Sequence, residues 1–395
     1  MEHLSDRVQR IKPSATLAVT ARAKALKAAG EDIIVLAAGE PDFDTPEHVK
    51  QAAIDAIHAG FTKYTAVDGT PELKAAIIGK FQRDNQLDYR AEEILVSCGG
   101  KHSYYNLIQA LISPGDEVII PAPYWTSYPD IVLLGDGKPV IIGSDIDAGF
   151  KITAEQLEAA ITPNTRLLIL NSPSNPTGAS YLHDELQALG EVLRRHPDVM
   201  VMTDDIYEHI TFTTEPFANI VNVCPDLKDR SIVLNGVSKT YSMTGWRIGF
   251  AAGPSWLIKA MTKIQSQSTS NPTSIAQVAA QVALSGDQSC IRDMVSAFRE
   301  RHDFVVSALN SLKGIQCIHS QGAFYSFPNC QEAIASLDGI SNDTEFAEYL
   351  ITKSGIALVP GADFGAPGYL RLSFATSRQE LEKALSRLGD ILGYK

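Results

Sequence analysis

Four short polar clusters carry residue types that could do chemistry, and each directly follows an apolar run. Cys98-Gly99-Gly100-Lys101 leads into a helical pattern, where two glycines let the backbone approach a ligand and a helix start offers free N–H groups to an anion. Ser172-Pro173-Ser174-Asn175-Pro176-Thr177-Gly178 is a rigid turn that would aim Asn175. Asp204, Asp205 and Tyr207 form the third cluster; Asn235, Gly236, Val237, Ser238 and Lys239 form the fourth, with Arg247 eight residues on. Separately, Arg371 sits in the apolar run Tyr369–Phe374, where an unpaired cation is costly and calls for an anionic partner.

Each cluster also has a plainer explanation. Gly-Gly after a strand is often only a turn, Asp204 could cap a helix, and a lone lysine or arginine is usually solvated. Those explanations weaken when the clusters recur at successive strand ends, because ligands of open α/β sheets sit beyond the carboxyl ends of the strands.

The elements that must position these residues are legible from periodicity. Apolar runs at Ile94–Ser97, Glu117–Ile120, Pro139–Ile142, Arg166–Asn171, Val199–Thr203, Ser231–Leu234 and Arg247–Ala251 predict strands. Several are apolar throughout, as in strands covered on both faces. Helical patterns such as Asp184–Arg195 and Trp256–Gln265 lie between them. This alternation predicts an α/β domain with a mainly parallel sheet over residues 45–290. The remainder predicts a smaller α+β domain from residues 1–44 and 291–395, with helices at Ile291–Leu312 and Gln379–Leu392 and short strands at Gly322–Phe327, Ile356–Val359 and Tyr369–Phe374.

Composition limits the function classes. A length of 395 residues favours two or more domains, and a net charge of −12 disfavours nucleic acid as a partner. Anionic ligands must therefore be captured by a few placed cations. Five scattered cysteines without C-x-x-C spacing support neither a disulfide framework nor a metal site. Met1–Lys12 lacks an apolar signal core, and no apolar run reaches the roughly 18–20 residues of a membrane span, so a cytoplasmic location is expected.

Gly39-Glu40-Pro41-Asp42-Phe43, Asn171–Gly178 and Ser238-Lys239-Thr240-Tyr241-Ser242-Met243-Thr244-Gly245-Trp246-Arg247-Ile248-Gly249 together resemble the class I/II aminotransferases of pyridoxal-phosphate (PLP) fold type I. The likeness runs from about Ser5 to the C-terminus.

The resemblance implies PLP as cofactor, with Lys239 forming the Schiff base and shuttling the substrate's proton; a lysine suits this because its pKa falls readily in a buried, cationic site. Asp204 would pair with the pyridine nitrogen, and Tyr207 and Asn175 with the 3′ oxygen. Gly99, Gly100, Ser238 and Arg247 would hold the phosphate, and Trp125 would stack on the ring, although a core aromatic is its plainer reading. Arg371 would fork the substrate's α-carboxylate, helped by Gly39, with Trp125 and Asn175 also on the substrate side. Tyr64 matches a tyrosine that reaches the neighbouring subunit's phosphate, and Asn271 lies near the subunit boundary. A homodimer with shared active sites follows from this likeness alone.

One aspartate branch of that family binds the distal carboxylate with an arginine where this chain has Ser266. A second branch resembles this chain more, through Arg10-Ile11-Lys12-Pro13-Ser14-Ala15-Thr16 and Gly99-Gly100-Lys101. The resemblance thus assigns Lys101 to the distal carboxylate, with help around Ser14 and Thr16. Aspartate and 2-oxoglutarate are the implied substrates, prephenate an alternative, and a lyase or PLP-bearing regulator more distant ones. A helix-start surface lysine is the plainer reading of Lys101, but a cation there opposes the helix dipole. A nicotinamide dehydrogenase fits poorly, because Gly99-Gly100-Lys101-His102-Ser103 is not G-x-G-x-x-G.

Overall fold

The computed structural model describes residues 4–395; the first three residues of Met1–Lys12 lie outside the described residues. In chain order the strands are β1 (Ile34–Val35), β2 (Ile94–Ser97), β3 (Glu117–Ala122), β4 (Lys138–Gly143), β5 (Thr165–Asn171), β6 (Met200–Asp204), β7 (Ser231–Gly236), β8 (Gly249–Ala252), β9 (Tyr325–Ser326), β10 (Ile356–Ala357), β11 (Val359–Pro360) and β12 (Leu370–Ser373). Seven of them build one sheet in the order β2-β8-β7-β6-β5-β3-β4. Strands β4, β3, β5, β6 and β7 pair in parallel, and β8 is antiparallel to both of its neighbours.

The unbroken apolar runs are explained by two separate cores, one on each face of the sheet. Leu168, Leu170, Val201 and Val233 join one core, while Leu167, Ile169, Met202, Ile232 and Leu234 join the other. Side chains alternate across a strand, so a run buried on both sides must be apolar at every position. Polarity returns at the carboxyl ends, as at Asn171 and Asp204.

A third large core lies around the C-terminal helices. Helix Ser289–Asn310 contributes Phe298, Val305, Val306 and Leu309, and helix Arg378–Leu392 contributes Leu381, Ala384, Leu385 and Leu388. The three- and four-residue spacing of these positions gives each helix one apolar stripe. Burying each leucine is worth about 1.5–3 kcal/mol. Ser377 caps the last helix by accepting from the Glu380 N–H at 3.3 Å, and Gly393 with φ 74° ends it. Tyr207, Ile210 and Phe212, which follow β6, pack into this core beside Phe324 and Tyr325. The sheet's edge and the C-terminal elements therefore share apolar contact next to Asp204.

Three expected strands differ from those observed. Arg247–Ala251 starts late: Arg247 adopts φ 56° after the turn Thr244–Trp246, and β8 begins at Gly249. Gly322–Phe327 shrinks to Tyr325–Ser326, since Ala323 has φ 58° and leaves extended geometry. Ile356–Val359 divides into β10, which pairs with β1, and β11, which pairs with β12.

Candidate active site

A cavity of about 380 Å³ opens at the carboxyl ends of β5, β6 and β7. Gly39, Gly100, Lys101, Trp125, Asn175, Asp204, Tyr207, Ser238, Lys239, Arg247 and Arg371 all line it. Gly99 lies directly behind the wall, and Tyr64 lies apart from the cavity, 92% exposed.

The anion-receiving corner depends on glycine. Helix Gly100–Leu111 starts after Gly99, whose φ of 91° suits only glycine, and a Cβ there would strike the Arg247 guanidinium. A Cβ on Gly249 would collide with the Gly99–Gly100 backbone. These close approaches set a guanidinium beside the free N–H groups of a 12-residue helix, with Ser238 on the same wall. Arg247 is fixed by donating from Nη1 to the Thr244 carbonyl at 2.8 Å.

Asn171 organises the middle of the site. Its Nδ2 donates to the Asp204 carbonyl at 2.9 Å, and its Oδ1 accepts from the Asn175 N–H at 2.8 Å. The Asp204 carboxylate accepts from Tyr128 Oη at 2.7 Å. Burial lifts the Asp204 pKa to about 6, against the Tyr128 and Ile206 hydrogen bonds and the Lys239 charge. Tyr207 and Tyr325 share a hydrogen bond at 2.9 Å between their hydroxyls.

Lys239 Nζ donates to the Gly39 carbonyl at 2.5 Å. Burial pushes its pKa down to about 8, with Arg247 and Arg371 acting in the same sense and Glu40 and Asp204 against it. An amine with that pKa is neutral in a useful fraction of molecules near pH 7–8, as proton transfer and carbonyl capture require.

Two cations wait for anions. Arg371 is 2% exposed and lies over the rings of Tyr325 and Phe364, at 4.5 and 5.0 Å from their centroids. It donates to Asn175 Oδ1 at 2.8 Å and to the Ala37 carbonyl at 2.6 Å, while its buried Nε has no partner. Lys101 lies 5.1 Å above the Trp125 ring, and burial and the Arg247 charge lower its pKa. Buried guanidinium held only by neutral acceptors is a receptor for a carboxylate.

Asn171, which opens the motif Asn171–Gly178 but was given no role, lines this cavity, as do Tyr128 and Tyr325, which the sequence did not mark. Tyr325 explains one glycine, because a Cβ on Gly39 would sit 2.8 Å from its hydroxyl. No local spacing identifies Tyr128 or Tyr325; only the folded chain brings them to Asp204, Tyr207 and Gly39.

A mainly parallel seven-stranded sheet of this order, with lysine, aspartate and two arginines around its carboxyl edge, defines an α/β protein of fold type I. The family model for aminotransferase class I and II matches residues 31–388, and the chain belongs to that family. It is a transaminase. The chain is 60% identical to an aspartate/prephenate aminotransferase of Nitrosomonas europaea over 98% of this chain and 99% of that one. An aspartate aminotransferase of Rhizobium meliloti has a solved structure with TM-score 0.95 and 51% identity, over 99% of both chains. The Thermus thermophilus aspartate aminotransferase solved with maleate superposes with TM-score 0.94 at 43% identity, covering 99% of this chain and all of that one.

Proposed function

We propose that this chain transfers the amino group of L-aspartate to 2-oxoglutarate, using pyridoxal 5′-phosphate held by Lys239. The observation that carries the reading is the pair of cations without anionic partners among the described residues, Arg371 and Lys101, in one cavity with an acidified lysine. Two cations suit a substrate with two carboxylates. That the Thermus relative binds maleate, a four-carbon dicarboxylate, supports the same choice.

The residues fit the cofactor. Its phosphate suits the Gly99–Gly100 helix start with Ser238 and Arg247, where a Cβ on Gly99 would fill the cradle. Asp204 would take the ring nitrogen, Tyr207 and Asn175 the phenolic oxygen, and Trp125 the ring face. When bound, pyridoxal phosphate supplies the electron sink for the substrate's Cα and carries the amino group between half-reactions. Arg371 orients the α-carboxylate through its fork, and the free Nε leaves donor capacity for it. Lys101 holds the distal carboxylate over Trp125, beside the residues Ser14 and Thr16 of the cavity rim. Lys239 Nζ, once neutral, would take the proton from the substrate's Cα and pass it to the cofactor rather than back to Cα, carrying it the opposite way in the second half-reaction.

The reading includes a cytoplasmic homodimer, with a PLP-binding domain at 45–290 and a smaller one from 1–44 and 291–395. An exposed apolar face supports the pairing: Ile54, Ile57 and Phe61 are 43, 50 and 40% exposed near Tyr64. Tyr64 would then serve the neighbouring subunit's phosphate.

A second reading adds prephenate as amino acceptor, favoured by the name of the Nitrosomonas relative. Steady-state kinetics test both. Parallel double-reciprocal lines for aspartate and 2-oxoglutarate are expected, with aspartate preferred over alanine by at least about tenfold in kcat/KM. A preference for alanine would remove the dicarboxylate reading and keep the transaminase. Prephenate turnover with aspartate as donor would establish the second reading.

A further inference from the structure

Behind the cavity lies a charge cluster that the reaction as described does not use. Lys80 and Glu208 form an ion pair whose side chains are 1% and 2% exposed. Asn85 completes it, accepting from Lys80 Nζ at 2.7 Å and donating to Glu208 Oε2 at 2.8 Å. Asn85 closes a π-helical turn, Phe81–Asn85, whose Asn85 carbonyl is held by Asn222 at 2.6 Å. Such turns are rare and lie frequently at functional sites. Burial would raise the Glu208 pKa, but Lys80, His209 and Asn85 outweigh it and keep the carboxylate charged.

A fully buried ion pair gains little over apolar packing, so its presence asks for a reason other than stability. Its connections supply one. Glu208 Oε1 also accepts from Asn235 Nδ2 at 2.7 Å, and Asn235 Oδ1 accepts from the Gly236 N–H at 2.7 Å. Asn235 and Gly236 end β7, and only Val237 separates them from Ser238 and Lys239. Glu208 itself directly follows Tyr207 in the turn after Asp204. A second strand-end link runs beside it, from the Asp205 N–H to the Leu234 carbonyl at 2.9 Å. On the outer side His209 Nδ1 lies 3.6 Å from Glu208 and 3.3 Å from Thr240 Oγ1, next to Lys239.

We propose that Glu208 is a positioning residue for the transamination: anchored by Lys80 and Asn85, it clamps the strand end leading to Lys239 against the turn that follows Asp204 and carries Tyr207. The proposal rests on the reading that Lys239 holds the cofactor. A clamp of this kind fixes the lysine relative to the aspartate and tyrosine without touching any reacting atom.

The test compares PLP-loaded wild type, Glu208→Gln, Asn235→Ala and Lys239→Ala. Asn235→Ala keeps the Lys80–Glu208–Asn85 cluster and removes the side-chain links from Asn235 to Glu208 and to the Gly236 N–H, so it decides the matter if Glu208→Gln does not fold. Both clamp variants are expected to bind PLP and to shift the pH midpoint of the visible cofactor band by roughly half a unit or more. Their kcat for aspartate should fall about tenfold with KM within about twofold. A folded, loaded Asn235→Ala enzyme with the wild-type midpoint and kcat, and only a lower melting temperature, overturns the clamp. A pH-dependent band that persists unchanged in Lys239→Ala overturns the reading of Lys239, and the clamp with it.

Discussion

Tyr128 Oη donates to Asp204 Oδ2 across 2.7 Å, joining residues 76 positions apart at the floor of the cavity. The bond pulls the Asp204 pKa down while burial pushes it up, and the balance falls near pH 6. Tyr128 therefore decides how much of the carboxylate is ionised near neutrality.

Replacing Tyr128 by Phe removes that donor and leaves burial unopposed at Oδ2. Asp204 then takes up a proton at a higher pH than about 6. The pH below which the ligand-free protein stops binding PLP is expected to move up by about half to one unit. Cofactor titrations between pH 5 and 8 check this.

Asp204→Asn separates stability from activity. The folded pKa of about 6 stands above the ordinary 3.8, so the folded chain binds more protons between those values. The stability this group contributes is full below pH 3.8 and lost as pH rises through about 6. At pH 7 the asparagine variant of the ligand-free protein should be more stable by about 3 kcal/mol, and at pH 4 most of that gain should vanish. Its transaminase activity should drop by at least about a thousandfold. Thermal unfolding at the two pH values, beside an aspartate assay, checks both halves.

Lys101→Met and Arg371→Lys should differ in which substrates they harm. A charged hydrogen bond is worth about 1.5–3 kcal/mol, so Lys101→Met should cost roughly ten- to a hundredfold in kcat/KM for aspartate. Alanine, which lacks the distal carboxylate, should change by less than about threefold. Arg371→Lys keeps the charge and loses the fork, and should impair both amino acids. A Lys101→Met enzyme equally slow with both would contradict the assignment of the distal carboxylate.

The framework of the sheet was legible because most of its strands are buried on two faces and so read as apolar runs, the edge strand β4 being the exception: Ile94–Ser97 falls where the pattern puts it. The positions of Lys239, Asp204 and Asn175 were legible for a related reason, since polarity resumes where a strand leaves the core. Arg247 was assigned to a strand and instead stands in a left-handed turn before β8, because Gly249 must pass close to the Gly99–Gly100 backbone. Tyr128 and Tyr325 were not legible. Tyr128 reaches Asp204 from the start of helix Ser127–Leu134, and Tyr325 reaches Tyr207 from 118 positions away. Contacts of that range leave no periodic trace. The Lys80–Glu208 pair was equally hidden, since a lysine late in a helix pattern reads as solvated until its burial is seen.

The most direct test of the account is the absorption spectrum of the PLP-loaded protein before and after L-aspartate is added without a keto acid, for wild type and Lys239→Ala together. Aspartate should bleach the visible band of the wild type, 2-oxoglutarate should restore it, and Lys239→Ala should complete neither conversion at a measurable rate. A wild-type band indifferent to aspartate, or a Lys239→Ala protein that cycles at the wild-type rate, would contradict it.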